Sequence, residues 1–169
     1  MPDPSVHWSV SDLLVTSHGA NEIVGCYRYG FPVTPESVRE NLSHLAALVL
    51  DPLADVFGWK INSCYRSPTV NALVGGSPNS AHTIGLACDG HPADGRGSFA
   101  EVITWLAAHP ELPLDRVIYE VRGASRWLHV QASVPRRSVA PPLYFLSASP
   151  LRFLPTSAPQ LAELIARAS

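Results

Sequence analysis

The sequence has little charge, little cysteine and no long apolar run, and each shortage argues against a class of protein. Charged residues make up 15% of the 169 residues and the net charge is −2. No basic stripe or tail is present, of the kind that binds nucleic acid or an anionic membrane surface. We therefore expect neither a nucleic-acid partner nor a membrane partner.

The three cysteines argue against a disulfide framework and against a cysteine zinc site. Their number is odd and no CxxC pair occurs among Cys26, Cys64 and Cys88. A structural zinc site built on thiolates uses paired cysteines at short spacing. We expect three free thiols that pack as small apolar side chains.

The longest apolar stretch, residues 45–50, is far shorter than a membrane span. The N-terminal residues lack the basic and apolar regions of a secretory signal. We therefore expect a protein that is made in the cytoplasm without a signal peptide. Export, where it occurs, would need another route.

The first part of the chain predicts helices. A length of 169 residues suits one domain with a single core. Ser9 caps a short helix, and Thr34 followed by Pro35 begins a long one, with apolar residues at helical spacing as far as Val56. Pro52 should kink or restart this helix, because proline removes a backbone donor. The glycines and proline of residues 21–34 predict a loop.

The second part predicts strands with one inserted helix. Residues 59–65 alternate like a strand that stops at Ser67-Pro68, 75–81 form a loop, and 83–89 are short and extended. Ser98 and Glu101 form a capping box for a helix that reaches residue 109. The last predicted elements are strands at 116–121 and 127–132, joined as a hairpin, and a helix at 159–168. This order predicts an α+β domain with a small, mostly antiparallel sheet flanked by helices.

Three residues stand out as candidate metal ligands. His82 follows a loop rich in glycine, proline and asparagine, Asp89 lies among small residues, and His129 lies on a predicted strand. Two histidines and a carboxylate are the donor set of many catalytic zinc sites. The spacing from His82 to Asp89 is not a recognised metal motif, so the residues alone leave buried or surface roles open.

Glu120 and Arg66 are candidate partners of such a site. A four-residue hairpin loop would place Glu120 opposite His129, whereas a five-residue loop would turn it to the other face. A carboxylate beside a metal-activated water is the general base of a metallopeptidase, although a solvated glutamate is the simpler interpretation. Arg66, at the end of the first strand, is either a surface residue or a fork that binds a substrate carboxylate.

Four segments of the chain, taken in order, resemble the zinc D-Ala-D-Ala carboxypeptidase family of the hedgehog/DD-peptidase superfamily, and its short phage-type members in particular. They are SCYRSP at 63–68, GGSPNSAHTIGLACD at 75–89, VIYE at 117–120 and WLHV at 127–130. The similarity extends over about residues 9–132. It implies a zinc peptidase domain at 1–132, with residues 133–169 as a proline-rich C-terminal extension of the same domain.

The resemblance also implies a role for each matching residue. His82, Asp89 and His129 match the zinc ligands, Arg66 the arginine that binds or polarises substrate, and Ser80 the serine beside the first ligand. Glu120 matches the acid/base carboxylate of the phage-type branch. Some relatives instead carry that acid three residues before the last histidine, where this chain has Arg126.

The implied activity is hydrolysis of peptide bonds in bacterial peptidoglycan stems or crosslinks. We expect an enzyme of the carboxypeptidase or endopeptidase type that acts on the wall after release, as a phage endolysin, or that is carried in a virion with phage protein partners. Two alternatives remain: a non-catalytic zinc-containing protein that binds the wall or builds a virion, and a bacterial dipeptidase. Residues 133–169 would close the cleft, contact a partner or bind wall polymer.

Overall fold

The computed structural model describes residues 5–135, 141–148 and 152–168. The described chain forms six α-helices, a π-helical turn, a 3-10 turn and eight strands. The helices are α1 (Val10–Leu13), α2 (Pro35–Leu45), α3 (Asp51–Phe57), α4 (Pro68–Leu73), α5 (Phe99–Ala108) and α6 (Ala158–Ala168). The strands are β1 (Cys26–Arg28), β2 (Phe31–Val33), β3 (Lys60–Ser63), β4 (Ala87–His91), β5 (Leu114–Arg122), β6 (Ser125–Ala132), β7 (Leu143–Ala148) and β8 (Arg152–Thr156).

Six of the strands form one sheet in the order β3-β4-β6-β5-β7-β8. All neighbours in this sheet are antiparallel except β5 and β7, which run parallel. Strands β1 and β2 form a separate hairpin. The prediction of an α+β domain with a mostly antiparallel sheet is therefore confirmed.

Strand β5 shows how the sheet separates the core from a cleft. Val117 and Tyr119 are buried on one face, where the Tyr119 ring lies 5.3 Å from the ring of Phe99 at the start of α5. Arg116, Ile118 and Glu120 point to the other face, because successive side chains of a strand alternate. That second face forms one wall of an open cleft.

The long predicted helix is present and restarts where proline requires it. Thr34 Oγ1 accepts a hydrogen bond from the backbone N–H of Ser37 at 3.2 Å, so Thr34 caps α2 as predicted. A π-helical turn, Ala46–Leu50, follows α2, and α3 begins with Pro52 in its first turn. The missing N–H of Pro52 is tolerated there because the first turn of a helix needs no such donor.

The loop predicted for residues 21–34 was wrong in part, since it contains the β1–β2 hairpin. Arg28 pairs with Phe31 across a turn formed by Tyr29 and Gly30. Both turn residues have positive φ, 50° and 82°, as a two-residue hairpin of this type requires. Tyr29 is the sole non-glycine residue with positive φ among those the structure describes. A tyrosine is unusual in this conformation, which hid the turn from sequence analysis.

Two further predictions need correction in the middle of the chain. Ser67-Pro68 does not only end β3: Ser67 caps α4, with Pro68 in its first turn. Residues 81–84 form a 3-10 turn (Ala81–Ile84) rather than an extended segment, and β4 begins only at Ala87. The same cap-and-proline signal that predicted α2 therefore also begins α4.

The chain after β6 adds to the sheet and to its covering helices. β7 and β8 extend the sheet beyond β5, and α6 packs against α5 and β7 with Leu161 and Ile165 buried. The predicted helix at 159–168 is confirmed, whereas the two strands were not predicted. Within the predicted extension, residues 136–140, 149–151 and 169 lie outside the described residues. No helix among the described residues is long and apolar enough to cross a membrane.

Candidate metal centre and cleft

His82, Asp89 and His129 converge on one point in the structure. His82 lies in the 3-10 turn, and Asp89 on β4 pairs directly with His129 on β6. Asp89 Oδ1 lies 3.2 Å from His82 Nε2 and 2.9 Å from His129 Nδ1, and the two nitrogens lie 3.2 Å apart. Three donors bound to a tetrahedral zinc at about 2.0–2.1 Å lie about 3.3 Å from one another. This nearly equilateral triangle therefore fits zinc in both donor chemistry and spacing.

The backbone around His82 fixes which of its ring nitrogens faces the triangle. His82 Nδ1 lies 2.5 Å from the carbonyl oxygen of Cys64, and a carbonyl can only accept, so Nδ1 donates. Nε2 therefore carries a lone pair, as a metal ligand must. Gly85, at φ 74°, ends the turn against α2, where a Cβ would lie 2.8 Å from the carbonyl oxygen of Val38. This close approach holds the turn that presents His82.

Burial and charge both act on the triangle. Burial favours the uncharged form of both side chains. It lowers the pKa of His82, although the nearby Asp89 carboxylate opposes the shift. For Asp89, burial would raise the pKa, but His82 and His129 outweigh it and hold the pKa far below its usual value. Asp89 is therefore ionised and His82 favours the neutral form, which are the states that bind a divalent cation.

Arg66 lies against the same donors rather than free in the cleft. Its Nη2 donates to Asp89 Oδ2 and to His82 Nε2, the latter at 2.8 Å, and its Nε donates to Ser63 Oγ at 2.9 Å. A lone pair on His82 Nε2 cannot serve a metal and a guanidinium together. Metal binding at that nitrogen therefore requires Nη2 to leave it, with Asp89 Oδ2 remaining as the partner of Arg66.

A buried asparagine, Asn21, holds the segment between β3 and α4 that carries Arg66. Asn21 Nδ2 donates to the carbonyl oxygens of Leu14 and Tyr65, at 2.9 and 2.8 Å, and Asn21 Oδ1 accepts from the Ser67 backbone N–H at 2.8 Å. Asn21 thus ties down the residues on both sides of Arg66. Sequence analysis missed this role of Asn21, because an asparagine in a glycine-containing segment usually indicates a turn.

Glu120 faces the same cleft as the triangle. The hairpin loop has two residues rather than the four we predicted: Arg122 pairs with Ser125, Glu120 pairs with Trp127, and Ile118 lies opposite His129. Because two and four differ by an even number, Glu120 still lies on the same face of the sheet as His129, as predicted. Burial, followed by the charge of Asp89, raises the pKa of Glu120 above its usual value. Arg122 Nη2 lies 3.8 Å from its carboxylate.

Ser80 lies at the start of the turn that carries His82. Its hydroxyl accepts from the backbone N–H of His82 at 3.3 Å, and its carbonyl accepts from Thr83 Oγ1 at 2.8 Å. Ser80 also lines the cleft. The structure thus gives it a capping role, and substrate binding by its hydroxyl stays a prediction.

The cleft around the triangle has a volume of about 860 Å³, large enough for a peptide of several residues. Its lining includes all six residues proposed from the sequence. The lining holds further polar and aromatic side chains to which sequence analysis gave no role in the site, among them Arg28, Tyr29, Asp115, Arg116, Trp127 and Gln131. Alternation along the predicted strand at 127–132 already places Trp127 and Gln131 on the face of His129, but it assigns them no role in the site.

The raised pKa of Glu120 has a measurable effect on stability in the metal-free protein. A carboxyl whose pKa is higher in the folded state stabilises the fold at low pH, and this contribution is lost as the pH rises through the folded pKa. A neutral Glu120→Gln variant should therefore melt at a higher temperature than wild type at pH 7. This gap, the difference between the two melting temperatures, should be smaller at pH 4. Thermal melts with chelator present, at several pH values, measure this gap. The exposed Glu111→Gln serves as control, and a gap that shrinks toward pH 7 would contradict the assignment.

A buried pair of histidines and a carboxylate, at the wall of an open cleft that also holds a second carboxylate, is typical of metal-dependent hydrolases. The model of the peptidase M15 family matches residues 16–131, which are 116 of the 169 residues. The chain therefore belongs to the peptidase M15 family and is a metallopeptidase. This confirms the resemblance to the zinc D-Ala-D-Ala carboxypeptidase family, whereas the phage-type branch stays a prediction. No curated protein matches the chain.

Proposed function

We propose that this protein is a zinc-dependent peptidase that hydrolyses peptide bonds in the stems or crosslinks of bacterial peptidoglycan. The observation that carries the proposal is the placement of the His82, Asp89 and His129 donors and the Glu120 carboxylate in one cleft. Zinc-dependent peptidase chemistry is that of the family. The peptidoglycan substrate is our extension, supported by the phage-type motif order of the sequence.

The chain's own residues supply a candidate proton carrier for such a hydrolysis, Glu120, in the cleft beside the metal donors. When bound, zinc would polarise the scissile carbonyl and lower the pKa of water to about 7. Glu120 accepts the proton of the attacking water and then delivers it to the leaving amine nitrogen. The raised pKa of Glu120 favours the first of these steps, because a more basic carboxylate takes up the proton of water more readily.

Arg66 has donors left for substrate after its contacts with the metal ligands. Nε and Nη2 are engaged by Ser63, His82 and Asp89, and within the described chain Nη1 has no hydrogen-bond partner. We assign the two N–H groups of Nη1 to a carbonyl or carboxylate oxygen of the substrate, which a guanidinium binds well. Ser80 offers a further hydroxyl on the same wall of the cleft.

The setting of the enzyme is part of the same proposal. We assign it to a lytic role, as an endolysin that is made in the cytoplasm and reaches the wall after release, or as a lysin carried in a virion. The support is the short phage-type pattern, in which Glu120 follows Ile118 and Tyr119. The bonds proposed for cleavage join D-alanine to its neighbours, or are adjacent L,D bonds.

Incubation of the purified protein with peptidoglycan tests the proposal. With zinc present, new free amine termini should accumulate, and a chelator should stop their release until zinc is restored. Cosedimentation with the wall, measured in parallel, separates the rival function. Binding to the wall without amine release, at any zinc concentration, would support a non-catalytic wall-binding protein and overturn the peptidase proposal. Cleavage of free D-Ala-D-Ala alone would instead indicate a dipeptidase.

A further inference from the structure

The cleft continues past the metal centre to the beginning of β5, where a β-bulge changes its lining. Leu114 pairs with Ala132 and Arg116 pairs with Gln131, so Asp115 is an extra residue in the strand. A bulge interrupts alternation and re-aims side chains. Asp115 and Arg116, although adjacent in sequence, accordingly both line the cleft.

Two arginines at this end of the cleft are held in place by aromatic rings. The guanidinium of Arg116 lies 5.3 Å from the ring centre of Phe145 on β7, and that of Arg28 lies 5.4 Å from the ring centre of Tyr29. Stacking on a ring fixes the plane of a guanidinium and reduces the entropy that it loses on binding a ligand. Both side chains are thus partly ordered before substrate arrives.

Among the residues that the structure describes, neither arginine has an acidic partner. Within the described chain, no carboxylate lies within 4.0 Å of Arg28 or Arg116, and the Nε of each is buried without a hydrogen-bond acceptor. Asp115, the nearest acid in sequence, accepts from Gln131 Nε2 at 2.6 Å. A buried donor without an acceptor costs free energy, so it needs an explanation.

The other two arginines of the cleft differ in this respect. Arg66 is paired with Asp89, and Arg122 lies 3.8 Å from Glu120. The charged residues of the lining are four arginines and three acids, and zinc would add two further positive charges. The cleft is therefore locally positive in a chain whose net charge is −2. Such a field attracts an anionic ligand.

Arg28 lies where two cavities meet, and Arg116 lies next to this junction. Arg28, Tyr29, Asp115 and Gln131 line both the main cleft and a second cavity of about 530 Å³. Arg116 adjoins this junction, since it follows Asp115 in the chain and pairs with Gln131. A peptide that occupies the metal centre and extends along β5 toward its first residues would pass this junction.

We propose that Arg28 and Arg116 form a subsite that binds a carboxylate of the peptide substrate, beside the metal centre. The proposal rests on the peptidase function above and names a chemical requirement of its substrate. The carboxylate belongs either to an acidic residue within the peptide or to its C-terminus. Each guanidinium supplies N–H donors in a planar fork, which matches the two oxygens of a carboxylate better than the single oxygen of a carboxamide.

Binding of matched peptides tests the subsite. Three forms of one stem peptide, L-Ala-γ-D-Glu-L-Lys-D-Ala-D-Ala, serve as probes: the parent, one with the D-Glu carboxylate converted to carboxamide, and one with the C-terminal carboxylate converted. Each is titrated calorimetrically into the zinc-loaded full chain carrying Glu120→Gln, which keeps the peptide intact. One carboxamide form should bind about 10- to 100-fold more weakly than the parent, as expected for loss of charge-assisted hydrogen bonds. The form that loses affinity identifies the carboxylate.

Arginine variants in the same background decide the assignment. Arg116→Gln or Arg28→Gln should remove the preference for that carboxylate, and Arg116→Lys should retain part of it. Arg126→Gln is the matched control, because Arg126 is exposed, donates to the carbonyls of Gly123 and Ser125, and does not line the cleft. Melting temperatures check that each variant is folded.

The possible outcomes separate this inference from the proposed function. Equal affinity for all three peptides, or a preference that survives both glutamine substitutions, overturns the carboxylate subsite alone when wild type still releases amines from peptidoglycan. Failure of every peptide to bind, together with no release from the wall, overturns the subsite and the peptidoglycan substrate together.

Discussion

Replacement of Glu120 by glutamine should lower kcat by about 100- to 10,000-fold, the usual contribution of a general acid–base, while zinc remains bound. The variant keeps the size of the side chain and its place on the cleft face of β5, but glutamine cannot accept the proton of the attacking water. Zinc content by metal analysis and the rate of amine release from peptidoglycan are the two measurements. The loss should fall on kcat rather than on KM, because Glu120 acts in the proton transfers.

The control for this variant is Glu111→Gln, at an exposed position outside the cleft. Its rate should equal that of wild type. A Glu120→Gln protein that binds zinc and retains full activity would show that another group accepts the proton. In that case Glu120 would lie in the cleft without taking part in the proton transfer.

Replacement of Asp89 by asparagine should remove both zinc affinity and activity. Asp89 supplies the anionic donor of the triangle, and its second oxygen holds Arg66. The loss of zinc affinity should exceed the 10- to 100-fold that is typical when only an outer-shell partner is removed. Titration with zinc in competition with a chromophoric chelator measures the affinity.

Folding of the Asp89→Asn protein needs its own check, because Arg66 would be left as a largely buried charge without its partner. Circular dichroism and the melting temperature of the metal-free protein provide it. Asp115→Asn is the matched control, as it makes the same substitution in the same cleft outside the triangle. Unchanged zinc affinity in a folded Asp89→Asn protein would rule out Asp89 as a ligand.

The helices of the fold were predictable wherever a local signal sets their start. Thr34 with Pro35 and Ser98 with Glu101 cap α2 and α5 through contacts within four residues of sequence. Ser67 with Pro68 carries the same signal for α4, but it comes soon after the predicted strand and was taken only as the end of that strand. Local chemistry was sufficient here, and the error lay in its interpretation.

The loops were less predictable because contacts distant in sequence determine them. Tyr29 has a positive φ, and its backbone N–H donates to Asn79 Oδ1 at 2.8 Å, fifty residues away in the sequence. The 3-10 turn of His82 depends on the close approach of α2 at Gly85. Neither contact is apparent from the residues of the turn itself.

For the site, the order of motifs predicted more than the spacing of single residues did. The structure brings His82, Asp89, His129 and Glu120 into one cleft, although a single sequence gives no spacing rule for them. Arg66 was expected to face substrate, yet most of its donors bind the metal ligands. The place of Asp115 in the cleft could not be predicted, since the bulge at this residue becomes visible only when β5 is paired with β6.

The parallel pairing of β7 with β5 has a practical consequence for anyone who shortens this protein. The family match ends at residue 131, which invites a cut just beyond it. β7 pairs with β5 from Arg116 to Val121, along the stretch that carries Glu120. Removal of β7 would turn β5 into an edge strand with unpaired backbone groups, which favours edge-to-edge aggregation. A shortened or fused version should therefore keep the chain through α6, even though the residues proposed as catalytic all precede residue 131.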